Sequence, residues 1–130
     1  MYDIKIQTQS KRTMADITEH VREAVAVSGI KEGICVVFAP HTTCGVMVNE
    51  NSDSDVKQDI LFGLERAVPN VDFKHVENNS DAHLMSAIVG SSQTIPISDG
   101  ELKLGMWQAV HLVEFDGPRV RRIRIQCVGQ

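Results

Sequence analysis

Three stretches decide the fold class: Thr94–Ile97 (TIPI), Glu101–Phe115 (ELKLGMWQAVHLVEF) and Arg119–Val128 (RVRRIRIQCV). They are separated by SDG at Ser98–Gly100 and DGP at Asp116–Pro118, residue types that turn a chain between strands. From Ser92 onward the pattern is all strand, which predicts a terminal antiparallel β-meander.

Working back from this region, helices enter. Tyr2, Ile4 and Ile6 alternate with polar residues, the period of a half-buried strand near residues 2–8. Asp16 with Glu19 three residues later reads as a reciprocal helix cap. Ile17, Val21, Ala24 and Val25 follow on one face, and Gly29 supplies the stop. Ile34–Phe38 and Gly45–Val48 read as buried strands, the first ended by Pro40. Ser52 or Asp53 begins a second helix whose stripe is Val56, Ile60, Leu61 and Leu64, closed by Pro69 and covering a sheet face. Ala82–Val89 reads as a short third helix capped by Ser80 or Asp81 and ended at Gly90. Helices mixed with strands in the first half and strands alone in the second give an α+β class: one sheet-rich antiparallel domain with two longer helices and one short one.

The chain has 130 residues, 42% of them hydrophobic and 23% charged, ordinary values for one domain with one core. No internal repeat or linker divides it, so residues 1–130 are expected to form one domain. A net charge of -4 argues against general nucleic-acid binding, which rests on neutralising phosphates. No apolar run spans a bilayer, and the amino terminus has no export pattern. Cys35, Cys44 and Cys127 are odd in number and irregular in spacing, arguing against a disulfide framework and for a reducing cytoplasm.

The densest polar cluster is His75–His83 (HVENNSDAH), with two histidines, two acids, two asparagines and a serine in nine residues. It runs into the start of the third predicted helix, where unpaired amides and a partial positive charge favour phosphate or carboxylate. Capping alone, worth about 1 kcal/mol, explains Ser80 or Asp81 but not their neighbours. His41, in the HTT corner His41–Thr43, is the third imidazole of interest. His41, His75 and His83 together would suit a divalent ion such as zinc with one position open. His75 and His83 are eight residues apart, unlike the four-residue spacing of a helical pair, so the loop must fold back for both to meet one ion. Asp81 is the better proton-transfer candidate, since its charge opposes direct contact with phosphate.

Asn49 and Glu50 end the strand after the HTT corner and are expected to converge there with Thr42 and Thr43. A lone tryptophan such as Trp107 is more often core than site, and Gln108 beside it points to the opposite face of a regular strand. His111 is read as structural, His20 as surface, and Cys44 as a small buried hydrophobe rather than a nucleophile. Most of the arginines at 119, 121, 122 and 124 read as a solvated strand face, with room for one phosphate contact.

HTT at His41–Thr43, NE at Asn49–Glu50, HVENNSDAH, LGMWQ at Leu104–Gln108, EFDGPR at Glu114–Arg119 and DIT at Asp16–Thr18 occur in one order over nearly the whole chain. This pattern resembles the YjbQ-like family, also described as secondary thiamine-phosphate synthases. The resemblance implies a compact α+β protein assembling as a homotrimer with sites near subunit boundaries. Carried onto this sequence, it marks His41, His75 and His83 as a histidine cluster, with Asp81 and Asn79 beside it and Glu50, Trp107, Gln108 and Arg119 lining the pocket. Alanine is usual in the family where Cys44 stands, which further weakens a nucleophilic role.

The implied activity joins a pyrimidine diphosphate to a thiazole phosphate and releases pyrophosphate. On that reading Asp81, His83 and Glu50 are the catalytic candidates; Thr42, Asn49, Asn79, Trp107, Gln108 and Arg119 bind substrate; and zinc or magnesium sits on His41, His75 and His83. The expected partners are further copies of the chain and a phosphorylated small molecule. Two other classes remain open from the residues alone: a metal-dependent hydrolase of a phosphorylated or polar small molecule, and a non-catalytic trimer binding a metal or small ligand.

Overall fold

The computed structural model describes residues 1–68, 73–74 and 78–130. The chain runs β1 (Tyr2–Gln7), β2 (Thr13–Asp16), α1 (Thr18–Ser28), β3 (Gly33–Phe38), β4 (Cys44–Glu50), α2 (Ser54–Ala67), α3 (Ser80–Val89), β5 (Ser92–Ser98), β6 (Glu101–Leu102), β7 (Gln108–Glu114) and β8 (Val120–Gly129). The α+β class and the three helices are as the sequence predicts. Pro69, expected to close α2, lies outside the described residues.

The carboxyl-terminal strands do not form one meander. They divide between a five-stranded sheet ordered β1-β8-β3-β5-β6 and a three-stranded sheet ordered β2-β7-β4, every pair antiparallel. Only β5 and β6 pair as sequential neighbours among these four strands. The run ELKLGMWQAVHLVEF breaks at residues 103–107, and this break sends β7 into the second sheet. β8 then returns between β1 and β3. The four-residue β2 is too short to show a period and is defined by pairing with β7, Thr13 opposite Glu114 and Asp16 opposite His111.

Two apolar clusters explain why β7 reads as a continuous hydrophobic run. Val110 and Leu112 face a main core shared with Ile17, Val21 and Val25 around α1, and with Val37, Ile95, Ile123 and Ile125 of the larger sheet. Val113 and Phe115 point the other way, into a second cluster with Met14, Ala82 and Met85, against which Ile60, Leu61 and Leu64 of α2 pack. A strand covered on both faces shows no polar alternation. α2 buries none of its residues fully, and its Phe62 is exposed beneath the Arg66 guanidinium, 4.6 Å from the ring centroid.

The caps shift slightly. Asp16 remains in β2, where its Oδ1 accepts from the Thr18 amide at 2.9 Å and hydroxyl at 2.6 Å, so α1 starts one residue later than its capping pattern suggests. Gly29 ends that helix in the left-handed conformation, φ 68°. Asp53 caps α2 by accepting from the Asp55 amide at 2.9 Å. At α3 the cap position falls on Asn79, not on Ser80 or Asp81, and no side chain caps it. Both candidate caps are engaged otherwise or lie inside the helix. None of the described helices is long and apolar enough to cross a membrane.

Candidate functional site

The antiparallel pairing of β4 with β7 separates the candidate residues into two groups. Cys44 stands opposite Glu114 at one end of this ladder, and Glu50 opposite Gln108 at the other. Six residue steps of about 3.4 Å put these ends about 20 Å apart. His41, Arg119, Asn79 and Asp81 belong to the first end, whereas Asn49, Glu50, Trp107 and Gln108 belong to the second.

The first end is organised by a buried ion pair. Glu114 is fully buried on the core-facing side of β7, and Arg121 enters the same interior from β8. Arg121 Nε donates to Glu114 Oε1 at 2.9 Å and its Nη2 donates to Oε2. The same Nη2 donates to the Thr43 carbonyl at 3.1 Å and hydroxyl at 2.8 Å. Glu114 also accepts from the Thr8 hydroxyl at 2.8 Å and the amides of Phe115 and Asp116 at 3.1 Å. Burial alone would raise its pKa, but bonds from Arg121, Thr8 and the Asp116 amide outweigh that and hold it below the usual carboxylate range.

The solvated strand face expected for most of these arginines does not extend to Arg121, which is buried. Arg121, Ile123 and Ile125 share the inward face of β8, while Arg122 and Arg124 face out. The alternation itself carried the signal, because a charge in phase with two buried isoleucines demands an interior partner. Glu114, in phase with Val110 and Leu112, is that partner.

This junction positions the outer residues. Thr8 Oγ1, whose proton goes to Glu114, accepts from the Arg119 amide at 3.0 Å, and the Thr8 amide donates to the Arg119 carbonyl at 3.0 Å. Arg119 Nε and Nη2 donate to the carbonyl and Oδ2 of Asp116 at 2.9 and 3.1 Å. Asn79 Nδ2 donates to the same Oδ2 at 2.9 Å, which ties the start of α3 to Arg119. His41 sits alongside, its Nε2 accepting from the Arg122 amide at 2.9 Å. Burial, then the Arg121 charge, hold the His41 pKa below its ordinary value.

Asp81, inside the first turn of α3, pairs with Arg12 and accepts from the Ala82 amide at 2.9 Å. Burial opposes its ionisation, yet these bonds keep its pKa below the usual range. Arg12 also reaches Glu65 of α2 at 3.4 Å. His83, two residues further along α3, is half-buried, its amide donating to the Asn79 carbonyl at 3.2 Å. Thr42 is exposed at the HTT corner. Cys44 is fully buried, and burial pushes its thiol up to about 11, as befits a core residue.

Of the three histidines expected to hold a metal, the structure describes His41 and His83. His75 lies outside the described residues, and no three His, Cys, Asp or Glu side chains gather within them. His41 has its Nε2 lone pair engaged by Arg122, leaving only Nδ1 as a donor to an ion.

At the second end Trp107 is not core. It precedes β7 in a turn and is 61% exposed, beside an open cleft of about 320 Å³ lined also by Asp16, Arg22, Asn51, Met106 and Gln108. Gln108 closes its own turn, its Oε1 accepting from the Gly105 amide at 2.7 Å. Asn51, which the sequence reading passed over, donates from Nδ2 to Asp16 Oδ2 at 2.7 Å and meets His111 Nε2 through Oδ1 at 3.2 Å. His111 is fully buried, and burial, then Lys57, lower its pKa despite Asp16. Asn49 is exposed, accepting from the Glu50 amide at 2.6 Å, and Glu50 is half-buried.

The family described as UPF0047 protein YjbQ-like matches residues 2–130. The UPF0047 protein MJ1081 of Methanocaldococcus jannaschii is 44% identical over 130 residues, covering 99% of this chain and 94% of that protein. YugU of Bacillus subtilis is 40% identical over 129 residues, covering 97% of each. A crystal structure of an uncharacterised YjbQ/UPF0047 protein of Clostridium acetobutylicum superposes with a TM-score of 0.96 at 45% identity, covering 98% of this chain and 100% of that one. A protein of unknown function from Sulfolobus solfataricus superposes at 0.95 with 35% identity, covering 99% and 96%. The chain belongs to the YjbQ-like family.

Proposed function

We propose that this member of the YjbQ-like family is a transferase of the thiamine-phosphate synthase kind, acting on phosphorylated small molecules as a homotrimer whose site is completed between copies. The observation that carries the reading is the Asp116 carboxylate, which binds Asn79 and Arg119 together at the start of α3. A guanidinium held beside the first turn of a helix favours a phosphate or diphosphate group. Arg119 keeps Nη1 outside its bonds to Asp116, and about half its side chain faces solvent.

In the reaction proposed, a thiazole nitrogen attacks the methylene carbon of the pyrimidine diphosphate. The carbon–oxygen bond breaks and the diphosphate leaves with the electron pair. Arg119, Asn79 and the first-turn amides of α3 would stabilise the charge growing on the leaving group. His41, neutral by virtue of burial and the Arg121 charge, and His83 would hold or accept protons at the edge of this anion subsite. Asp81, kept ionised by Arg12, would orient that cation rather than touch the phosphate.

Trp107 and the cleft at the opposite end of the ladder offer a flat apolar face suited to a heteroaromatic ring. A separation of about 20 Å is beyond the reach of one pyrimidine diphosphate bound to a single chain. An assembly in which the Trp107 end of one copy meets the Arg119 end of the next would bring both to one substrate. This separation supports a site shared between copies.

The test is formation of thiamine phosphate by purified full-length protein supplied with both substrates, with magnesium and zinc added in separate reactions. Turnover that falls in Arg119→Ala supports the reading. Binding of phosphorylated compounds without any product above a protein-free blank would replace it with a non-catalytic ligand-binding trimer.

A further inference from the structure

Cys35 and Cys127 stand directly opposite each other in the β3–β8 ladder, both strands lying inside the larger sheet. Residues opposed in this way project to the same face, with Cα atoms about 4.5 or 5.5 Å apart depending on their place in the hydrogen-bond pattern. Both separations lie within the range of about 4.4–6.8 Å that a disulfide spans. Cys35 is fully buried behind a half-buried Cys127, near enough for the two thiols to perturb each other. The third thiol, Cys44, is buried in the other sheet.

We propose that Cys35 and Cys127 form an oxidisable dithiol, converted by a hydroperoxide to a cross-strand disulfide. Cys127, the more accessible sulfur, attacks the terminal peroxide oxygen. The O–O bond breaks, leaving a sulfenic acid on Cys127 and releasing water or an alcohol. Cys35 sulfur then attacks the Cys127 sulfur, the S–O bond breaks, and the departing hydroxide takes the Cys35 proton as water. Two thiols and one hydroperoxide thus give one disulfide, one alcohol or water from the peroxide and one further water. Burial, then the adjacent Cys127, push the Cys35 thiol up to about 12, and with Cys35 fully buried the first attack is assigned to the more accessible Cys127.

The bond would pin the register of β3 against β8. Those strands also lead to the anion subsite: β3 runs toward His41, and β8 begins at the segment whose Arg122 amide holds His41 Nε2. Oxidation would therefore stiffen the frame of the site from the far end of the same two strands. The dithiol stands on the strand register alone and does not depend on the proposed transferase activity.

The experiment treats reduced full-length protein with hydrogen peroxide and counts thiols after denaturation, with non-reducing peptide mapping by mass spectrometry. The count should fall from three to one, the mass by two hydrogens, and a peptide pair joining Cys35 to Cys127 should appear. Dithiothreitol should restore all three thiols, and oxidised protein should melt higher than reduced. Cys127→Ser, altering only a half-buried position, should retain the fold by circular dichroism but lose both the cross-link and the melting shift. Retention of three thiols, a link through Cys44, or over-oxidation of Cys127 without a link to Cys35 would overturn the proposal.

Discussion

Arg121 and Glu114 form a buried two-pronged ion pair that joins β8 to β7 across the two sheets, their side chains 3% and 0% exposed. Thr8 and Thr43 complete its hydrogen bonds, so neither charge is left without a partner in the interior. From this pair the chain passes to Asp116 and Arg119, which makes it the internal support of the proposed anion subsite.

Replacing Glu114 with Gln should cost about 3–5 kcal/mol of stability, because Arg121 would remain buried without an opposing charge. Urea unfolding measures it. Substituting both residues with apolar side chains of similar volume should cost less than the single change; a single change costing under about 0.5 kcal/mol would mean that water reaches Arg121.

Acidification should weaken the fold in two stages. His41 and His111 have folded pKa values below their ordinary ones, so the unfolded chain binds their protons first. Their contribution is intact above the unfolded imidazole pKa of about 6.5 and declines as pH falls below it. Glu114, Asp81 and Asp16 have lowered carboxylate pKa values, so their contribution is intact above the unfolded values of about 4 and is lost as pH drops through the folded ones. Thermal melts between pH 8 and 3, compared with His111→Gln, should show a shallower first stage in the variant.

Asp116→Ala should release Arg119 and Asn79 from their shared acceptor while leaving both side chains in place. The expected result is a KM for phosphorylated substrate about tenfold higher, equivalent to about 1.4 kcal/mol, with a smaller change in kcat. Steady-state kinetics decide it, and an unchanged KM would remove Asp116 from the positioning role.

Mixing Arg119→Ala with Trp107→Ala protein, each inactive alone, should restore activity after subunit exchange, since some sites would receive both intact residues from different copies. Persistently inactive mixtures, with exchange verified by native mass spectrometry, would argue that each chain carries its own complete site. Trp107 is 61% exposed, so its substitution should change the stability of the isolated chain by no more than about 0.5 kcal/mol.

Gly45→Ala should destabilise the junction of β4 and α3. A Cβ at Gly45 would lie 2.6 Å from the Gly90 carbonyl oxygen and 2.8 Å from Val89 Cγ1. Backbone cannot yield as a flexible side chain does, so the cost should be about 1–3 kcal/mol by denaturant unfolding.

The sequence by itself determined the local elements and the family, because periodicity, turn residues and ordered motifs are properties of neighbouring positions. The strands at residues 2–8 and 34–38, the Gly29 stop and the apolar stripe of α2 all follow from such short-range rules. The turn at residues 103–107 was less legible: Gly105 and Met106 sat inside what read as one long strand, and only pairing of β7 with β2 and β4 shows where it breaks. The cap position of α3 falls on Asn79, and Asp81 inside the helix pairs with an arginine 69 positions away, a contact that no local pattern records. Tertiary structure alone decided how the candidate residues are grouped. Antiparallel pairing of β4 with β7 sends Glu50 and Gln108 to one end and Glu114 to the other, and a polar motif carries no record of which end of a ladder it will occupy. The same long-range pairing placed Glu114 against Arg121, where the interior's low tolerance for an unpaired charge fixes both.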